Sequence, residues 1–204
     1  MLDDGRYAVT TDGGATWRVA SLEGATAHAR TPSRRLGSSV TVAPHAPTRI
    51  APPHIHAASA LDKRIGSLFQ DGDGGPGGWW ILPEPELALG VDADFDPVSP
   101  DLAGWRRARM PRLPTTASFA MAPDWVCEVL SPSTKAHDRD DKLPFYARAG
   151  VAHAWLVDPA ARTLEAFVRD GEGYQVLGVW RGDARVRVEP FEAAELDLAR
   201  LWIA

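Results

Sequence analysis

Apolar positions from about residue 52 onward follow two periods, one typical of helices and one typical of strands. Between residues 54 and 69 the apolar side chains recur every three or four positions, which predicts an amphipathic helix. Residues 125–130 and 151–157 are short and almost continuously apolar, as expected of central strands covered on both faces. Further strands are predicted at residues 79–89, 95–104, 163–168 and 174–180, the last two forming a hairpin around Asp170-Gly171.

Two more helices are expected near the C-terminal end. The first should begin between residues 138 and 141 and end at Gly150, because Pro144 is tolerated only in the first helical turn. Residues 192–202 predict a closing helix. Strands interleaved with helices on both sides indicate a mixed α/β fold, with a central mixed β-sheet flanked by α-helices.

The first 51 residues show a different pattern. Residues 6–10 and 16–20 predict an extra N-terminal β-hairpin around Asp12-Gly13-Gly14. Residues 21–53 are rich in Ala, Thr, Ser, Arg and Pro and lack sustained periodicity, apart from a short strand near residues 40–42. We therefore expect a divergent N-terminal segment at 1–51, made of a hairpin and a poorly ordered linker, and one main domain at 52–204.

Composition narrows the class of protein. The chain has 204 residues, of which 45% are hydrophobic and 24% charged, the balance of a globular protein with a real core. No apolar run approaches the ~18 residues of a membrane span, and the acidic N-terminus does not look like a signal peptide. The single cysteine, Cys127, excludes an internal disulfide. We expect a cytoplasmic protein without membrane association.

Two acidic residues and one lysine are the candidates for chemistry. Asp101 follows a proline, Glu128 lies within the apolar strand 125–130, and Lys142 comes one short loop later. Two converging carboxylates suit a hard divalent cation, and a nearby ammonium suits a phosphate group. Period two puts Glu128 on the face of Val126 and Leu130, where a carboxylate must be paired. A metal and a structural ion pair explain that burial equally well.

The charge distribution neither requires nor forbids nucleic-acid binding. A net charge of −5 argues against coating nucleic acid by bulk attraction. A local arginine group or a bound metal can still supply a positive field. The sequence offers one such group, which could equally be a solvated loop: Arg106, Arg107, Arg109 and Arg112.

The order of several segments resembles the bacterial Uma-two family of the PD-(D/E)xK nuclease superfamily. The resemblance runs from about Pro52 to the C-terminus. Its main segment is Pro123-Asp124-Trp125-Val126-Cys127-Glu128-Val129-Leu130-Ser131-Pro132-Ser133-Thr134, followed by Asp138, Lys142, Tyr146 and Trp155-Leu156-Val157-Asp158-Pro159. Upstream segments in the same order are His54-Ile55-His56-Ala57-Ala58, Gly77-Gly78-Trp79-Trp80-Ile81-Leu82, Glu84-Pro85-Glu86-Leu87 and Pro100-Asp101-Leu102-Ala103-Gly104-Trp105.

The resemblance implies a restriction-endonuclease-like core that cleaves DNA with Mg²⁺ or Mn²⁺, acting as a homodimer. It assigns Asp101 and Glu128 as catalytic metal ligands, together with the backbone carbonyl of Val129, and Lys142 as the catalytic lysine. The superfamily's usual lysine position is occupied by Leu130, and Lys142 on the following helix replaces it. Members of the family usually carry a Gly-Glu strand before the first helix, whereas residues 24–61 here contain no Asp or Glu.

Four other residues are reserve candidates for the site. Glu86 and Asp124 are reserve metal ligands, and Asp138 is expected to position Lys142. His54 is given a minor DNA-contact or structural role, because His54 and His56 at i,i+2 do not share a helical face. Tyr146 is expected to belong to the core. The alternative to an enzyme is a catalytically silent relative that binds nucleic acid or a partner, which the missing N-terminal acid and the negative charge favour.

Overall fold

The computed structural model describes residues 6–9, 18–21, 51–93 and 95–203. The chain divides into two units, Met1–Ala46 and Pro47–Ala204. In the first unit, β1 (Arg6–Val9) pairs antiparallel with β2 (Arg18–Ser21), which confirms the strands of the predicted hairpin. The strand predicted near residues 40–42 lies outside the described residues, and the domain boundary at 51/52 remains a prediction.

The second unit is built around one six-stranded sheet. Its spatial order follows the chain, from β3 to β8. The strands are β3 (Trp79–Pro83), β4 (Leu102–Arg106), β5 (Trp125–Val129), β6 (His153–Asp158), β7 (Thr163–Asp170) and β8 (Gly173–Arg181). The central strands β5 and β6 run parallel and every other neighbouring pair runs antiparallel. The predicted mixed α/β fold with a central mixed sheet is confirmed.

A helical crossover joins the two parallel strands, as such a connection requires. It begins with α2 (Lys135–His137), widens into a π-helical turn (Asp138–Lys142) and continues as α3 (Leu143–Arg148). Gly150, with φ of 87°, then turns the chain toward β6. The π-helical turn is the element that carries Asp138 and Lys142 to the end of β5.

Helices cover the sheet on both faces. On one face α1 (Pro52–Ile65), which continues into a π-helical turn (Gly66–Asp71), packs against the side chains of Trp125, Cys127 and Val129. On the other face α3 packs against Val126 and Leu130. The predicted division of β5 into two faces is therefore confirmed, and so is its burial, since all five of its residues are buried.

Three predicted boundaries differ from the structure. The strand predicted at 95–104 is wrong in its first half, since Pro97 and Pro100 cannot donate ladder hydrogen bonds and β4 begins only after Asp101. Residues 84–89 do not extend β3, and Leu87 makes only isolated bridges. The predicted start of the crossover helix between residues 138 and 141 is also wrong, because the helical segment begins at Lys135. Pro144 does lie in a first turn, that of α3, where the hydrogen-bond register changes from π to α.

The chain ends without the predicted closing helix. Residues 192–202 instead form β10 (Leu196–Asp197), which pairs with β9 (Arg185–Val186), and a 3₁₀ turn (Leu198–Leu201). The Asp197 side chain accepts a hydrogen bond from the backbone of Ala199, the local alternative that Asp offers to a continuous helix. Within the described residues, no helix combines the length and the apolar character needed to cross a membrane.

Candidate active site

The antiparallel register of β4 and β5 brings the two candidate carboxylates together. Leu102 lies opposite Cys127, so the residue before it, Asp101, reaches the C-terminal end of β5. There Asp101 Oδ2 accepts a 2.6 Å hydrogen bond from the backbone N–H of Val129. The fold thus anchors Asp101 beside Glu128, which is 27 positions further along the sequence.

Lys142 reaches the same place from the π-helical turn. Its Nζ lies 3.0 Å from Glu128 Oε2 and 3.1 Å from Asp138 Oδ1. Tyr146, one turn further along, donates a 2.6 Å hydrogen bond to Glu128 Oε1. Glu128 and Asp138 are each only 2% exposed. Both oxygens of Glu128 therefore contact a protein donor, and the pairing of Asp138 with Lys142 is buried, not solvated.

His54 contacts Asp101 from the start of α1. It lies on the first turn of α1, and its Nε2 is 3.3 Å from Asp101 Oδ1. Among the described residues its buried Nδ1 has no hydrogen-bond partner. His56 points elsewhere and contacts the carbonyl of Arg200, as expected for residues two apart on a helix.

These side chains share one cleft of about 340 Å³. Asp101, Glu128, Val129, Asp138, Lys142 and His54 all line it. Its rim adds hydroxyl groups from Ser99 and from the segment that follows β5, where Ser131, Ser133 and Thr134 are joined by hydrogen bonds of 3.0 Å. The cleft therefore combines carboxylates, one ammonium and several hydroxyl donors.

Burial and crowding of like charges perturb the protonation of the site. Burial raises the pKa of Glu128 to about 8, with Lys142 and Tyr146 opposing and Asp101 adding to the rise. Burial alone would lower the pKa of Lys142, but the carboxylates of Glu128 and Asp138 outweigh it and raise that pKa. Lys142 therefore remains an ammonium at neutral pH. The hydrogen bond to Asp101 raises the pKa of His54 despite its burial.

Two of the reserve candidates lie elsewhere. Asp124 directly precedes β5 and lies roughly 13 Å from Glu128 along the strand direction. It accepts hydrogen bonds from the backbone of Arg106 and from the side chain of Arg109. Glu86 is exposed and is not among the residues that line the cleft. Neither residue lines the cleft. Period two predicts the face on which Asp124 lies but not its position along the strand.

The arginine group predicted from the sequence is mostly engaged in structure. Arg106 stacks over Trp79 and Arg107 over Trp80, with 4.5 and 4.0 Å to the ring centroids. Arg107 also donates to the carbonyls of Trp79 and Gln70. These cations hold the edge of the sheet together and do not line the cleft.

The donor set fits a hard divalent cation in part. In the part of the chain that the structure describes, no three His, Cys, Asp or Glu side chains are grouped closely enough to form a ready-made metal site. Two carboxylates and the backbone of Val129 are available at the cleft. Mg²⁺ commonly binds proteins through one or two carboxylates and keeps several waters, so these residues suit it better than an all-protein cage would.

Sequence reasoning overlooked two features of the site. The contact of Tyr146 with Glu128 was not foreseen, although Tyr146 lies at i+4 from Lys142 and therefore on the same helical face. The hydroxyl groups of Ser131, Ser133 and Thr134 at the rim of the cleft are the second feature. Its signal was its place, directly after the carboxyl end of a parallel strand, where α/β proteins commonly bind ligands.

Three comparisons with known proteins bear on this site. Residues 46–199 match the family model Uma2, described as "Putative restriction endonuclease". Among solved structures, a putative nuclease belonging to DUF820 from Anabaena variabilis is similar, with a TM-score of 0.59 and 22% identity. The match covers 74% of this chain and 81% of that one, and it confirms the fold. A search of the curated proteins found no match.

Proposed function

Because the chain belongs to the Uma2 family of restriction-endonuclease-like proteins, we propose that it is a metal-dependent endonuclease that hydrolyses DNA phosphodiester bonds. The observation that carries the proposal is the convergence of Asp101, Glu128 and Lys142 on one open cleft. Glu128 is so deeply buried beside other acidic groups that its pKa rises to about 8 even next to the Lys142 ammonium, and a bound divalent ion would supply the further positive charge that its carboxylate needs.

Asp101, Glu128 and the carbonyl of Val129 would hold Mg²⁺ or Mn²⁺. When bound, such an ion polarises a phosphoryl oxygen and lowers the pKa of a bound water. Asp101 is prepared for this role because the Val129 N–H and His54 fix both of its oxygens. Glu128 is held in one rotamer by Tyr146. The chain thus supplies oriented oxygen donors before any ligand arrives.

Lys142 would act on the phosphate as a fixed positive charge. Its raised pKa keeps it protonated, so it is unsuited to serve as a general base at neutral pH. An ammonium aimed at the cleft stabilises negative charge that develops on the phosphoryl oxygens during attack by water. Asp138 is the positioning residue, since its carboxylate lies 3.1 Å from the Lys142 Nζ and fixes it beside Glu128.

The test is cleavage of plasmid DNA with Mg²⁺ or Mn²⁺, comparing the wild type with Glu128→Gln and Lys142→Met. We expect each variant to lose about a hundredfold or more in rate, because each removes a group that acts on the reacting phosphate. Glu165→Gln is the matched control: it removes a carboxylate on β7, two strands from β5 in the sheet, that pairs with Arg139. Equal residual nicking by wild type and Glu128→Gln would contradict the proposal.

One observation favours a second candidate, a nuclease-fold protein that binds nucleic acid without cutting it. Both Glu128 oxygens already contact protein donors, so the side chain is hydrogen-bonded without any metal. That candidate predicts DNA binding with no cleavage dependent on Glu128. For either candidate we propose a cytoplasmic homodimer, as the family resemblance implies. Light scattering on the purified chain measures its molar mass, and the mass of a single chain would contradict the homodimer.

A further inference from the structure

A positively charged surface lies on the other flank of α1 from the cleft. Two adjoining cavities, of about 290 and 590 Å³, share Ala60, Arg64 and Arg200 in their walls. We call the surface that they form the α1 groove, defined by Lys63, Arg64, Arg185 and Arg200. The groove is assembled from three separate segments: α1, β9 and the 3₁₀ turn near the C-terminus.

The cations of the α1 groove are accessible and only loosely paired. Arg64 donates to the neutral carbonyl of Glu195, which leaves its charge uncompensated at that contact. Arg185 and Arg200 approach Glu195 and Asp197 at 3.7 Å, and their side chains are 70% and 79% exposed. Exposed pairs of this length contribute little and exchange readily for another anion.

The larger cavity is the more strongly cationic of the two. Its walls carry His56, Lys63, Arg64 and Arg200 beside Ser67 and Trp202, and among the described residues that line it there is no Asp or Glu. Trp202 is fixed, since its indole N–H donates to the carbonyl of Gly182 and the residue is 7% exposed. An open groove with several spread cations and one fixed tryptophan matches a chain of phosphates better than one small anion.

The net negative charge of the chain repels a polyphosphate ligand, so a local group of cations is needed to bind one. With a net charge of −5, the protein attracts nucleic acid only where cations are gathered locally. The arginines at 106 and 107 are stacked on tryptophans and do not serve this purpose. The geometry points to the α1 groove: we propose that it binds the phosphate backbone of the DNA whose cleavage was proposed above, away from the cleft, and the inference rests on that proposed function.

The separation of groove and cleft sets the scale of the contact. His54 at the cleft and Lys63 in the groove lie nine residues apart on α1, or about 14 Å along the helix axis. That distance corresponds to about four base steps of a duplex. The groove would therefore hold phosphates outside the reacting one and fix how the DNA crosses α1.

The experiment measures binding apart from cleavage. A fluorescein-labelled duplex of about 20 base pairs is titrated with the full chain in EDTA, at salt concentrations from about 50 to 200 mM. Arg64→Gln/Arg200→Gln is compared with the control Arg112→Gln/Arg148→Gln, which removes the same charge at exposed positions away from the groove. The groove variant should bind about tenfold more weakly near 100 mM salt, and its salt slope should fall by about 2. The control should match the wild type.

Several results would refute DNA binding by the α1 groove. An unchanged groove variant, equal weakening by both double variants, or absence of duplex binding by the wild type would overturn the proposal. So would full displacement of the duplex by inorganic phosphate at constant ionic strength, which would indicate a site for one small anion. If melting shows that the double variant is unfolded, Lys63→Glu at an exposed position replaces it and should weaken binding likewise.

Cleavage assays separate this proposal from the proposed function. Duplex binding that depends on the groove, without any cleavage that depends on Glu128, would retain the groove and refute the nuclease. Glu128-dependent cleavage that is indifferent to the groove variants, with binding also unchanged, would retain the nuclease and refute the groove.

Discussion

Glu128→Gln should make the protein more stable at alkaline pH while it removes activity. The pKa of Glu128 rises from its ordinary value of 4.5 to about 8 in the folded protein, because burial disfavours the carboxylate more than Lys142 and Tyr146 stabilise it. Between these two pH values the unfolded chain has released the proton that the folded chain still holds. The free energy of unfolding therefore falls as pH rises through this window.

The size of the effect follows from the same two values. The difference corresponds to about 5 kcal/mol, at about 1.36 kcal/mol per pH unit, which we take as the upper limit for a site that relaxes or admits water. This contribution is fully present below about pH 4.5 and is lost by about pH 8. Glutamine keeps the shape of the side chain and can accept the Tyr146 hydrogen bond but cannot ionise. The variant should come within about 1 kcal/mol of the wild type near pH 5 and exceed it by several kcal/mol near pH 9.

Urea unfolding in EDTA at a series of pH values measures this difference directly. The dependence of the unfolding free energy on urea concentration should be the same for both proteins, so that midpoints can be compared. Glu165→Gln, in a partly exposed ion pair with Arg139, is the matched control and should run parallel to the wild type. If the wild type and Glu128→Gln differ by a constant amount from pH 5 to pH 9, Glu128 does not carry the buried charge described here.

Three further predictions concern the same region. Mg²⁺ or Mn²⁺ should raise the melting temperature of the wild type by mass action, by an amount worth about 2.7 kcal/mol at a hundred times Kd, and should not do so for Glu128→Gln; equal shifts would place the ion elsewhere. Tyr146→Phe should cost about 1–2 kcal/mol in urea unfolding at pH 9, because the Glu128 carboxylate loses a buried donor, and less at pH 5; a loss independent of pH would mean that only packing was removed. Asp124→Asn should lower the free energy of unfolding by about 1 kcal/mol, because it weakens the contacts with Arg106 and Arg109, and should leave cleavage intact in the plasmid assay. Lost cleavage in a folded variant would show that Asp124 belongs to the active site.

The elements that could be predicted are those in which the local pattern and the tertiary environment agree. Residues 125–130 are apolar on both faces, and the fold covers both faces of β5. Residues 192–202 were predicted wrongly as a helix. They form β10, which pairs with β9, and a 3₁₀ turn, so their buried side chains need not keep a helical period. Pro144 gave a wrong start for the crossover helix for a related reason. The end of a π-helical turn is a second place in a helix where a missing N–H is tolerated.

The candidate site was predictable in its members but not in its geometry. Period two gave the face of Glu128, yet the neighbourhood of Asp101 depends on the β4–β5 register, which no local pattern encodes. Lys142 makes one contact that the local helical pattern predicts and one that depends on the fold. It pairs with Asp138 at i,i+4, as an ordinary helix would predict, and the same ammonium also contacts Glu128.

The energetics of Glu128 argue against a purely structural role. A fold that needed only a buried partner for Lys142 already has one in Asp138, which lies 3.1 Å away and is equally inaccessible. Adding Glu128 beside Asp101 and Asp138 increases repulsion and makes the folded state less stable as pH rises. An apolar residue in its place would extend the core that Val126 and Leu130 already form. A side chain that lowers stability at the mouth of an open cleft is best explained by what the cleft binds.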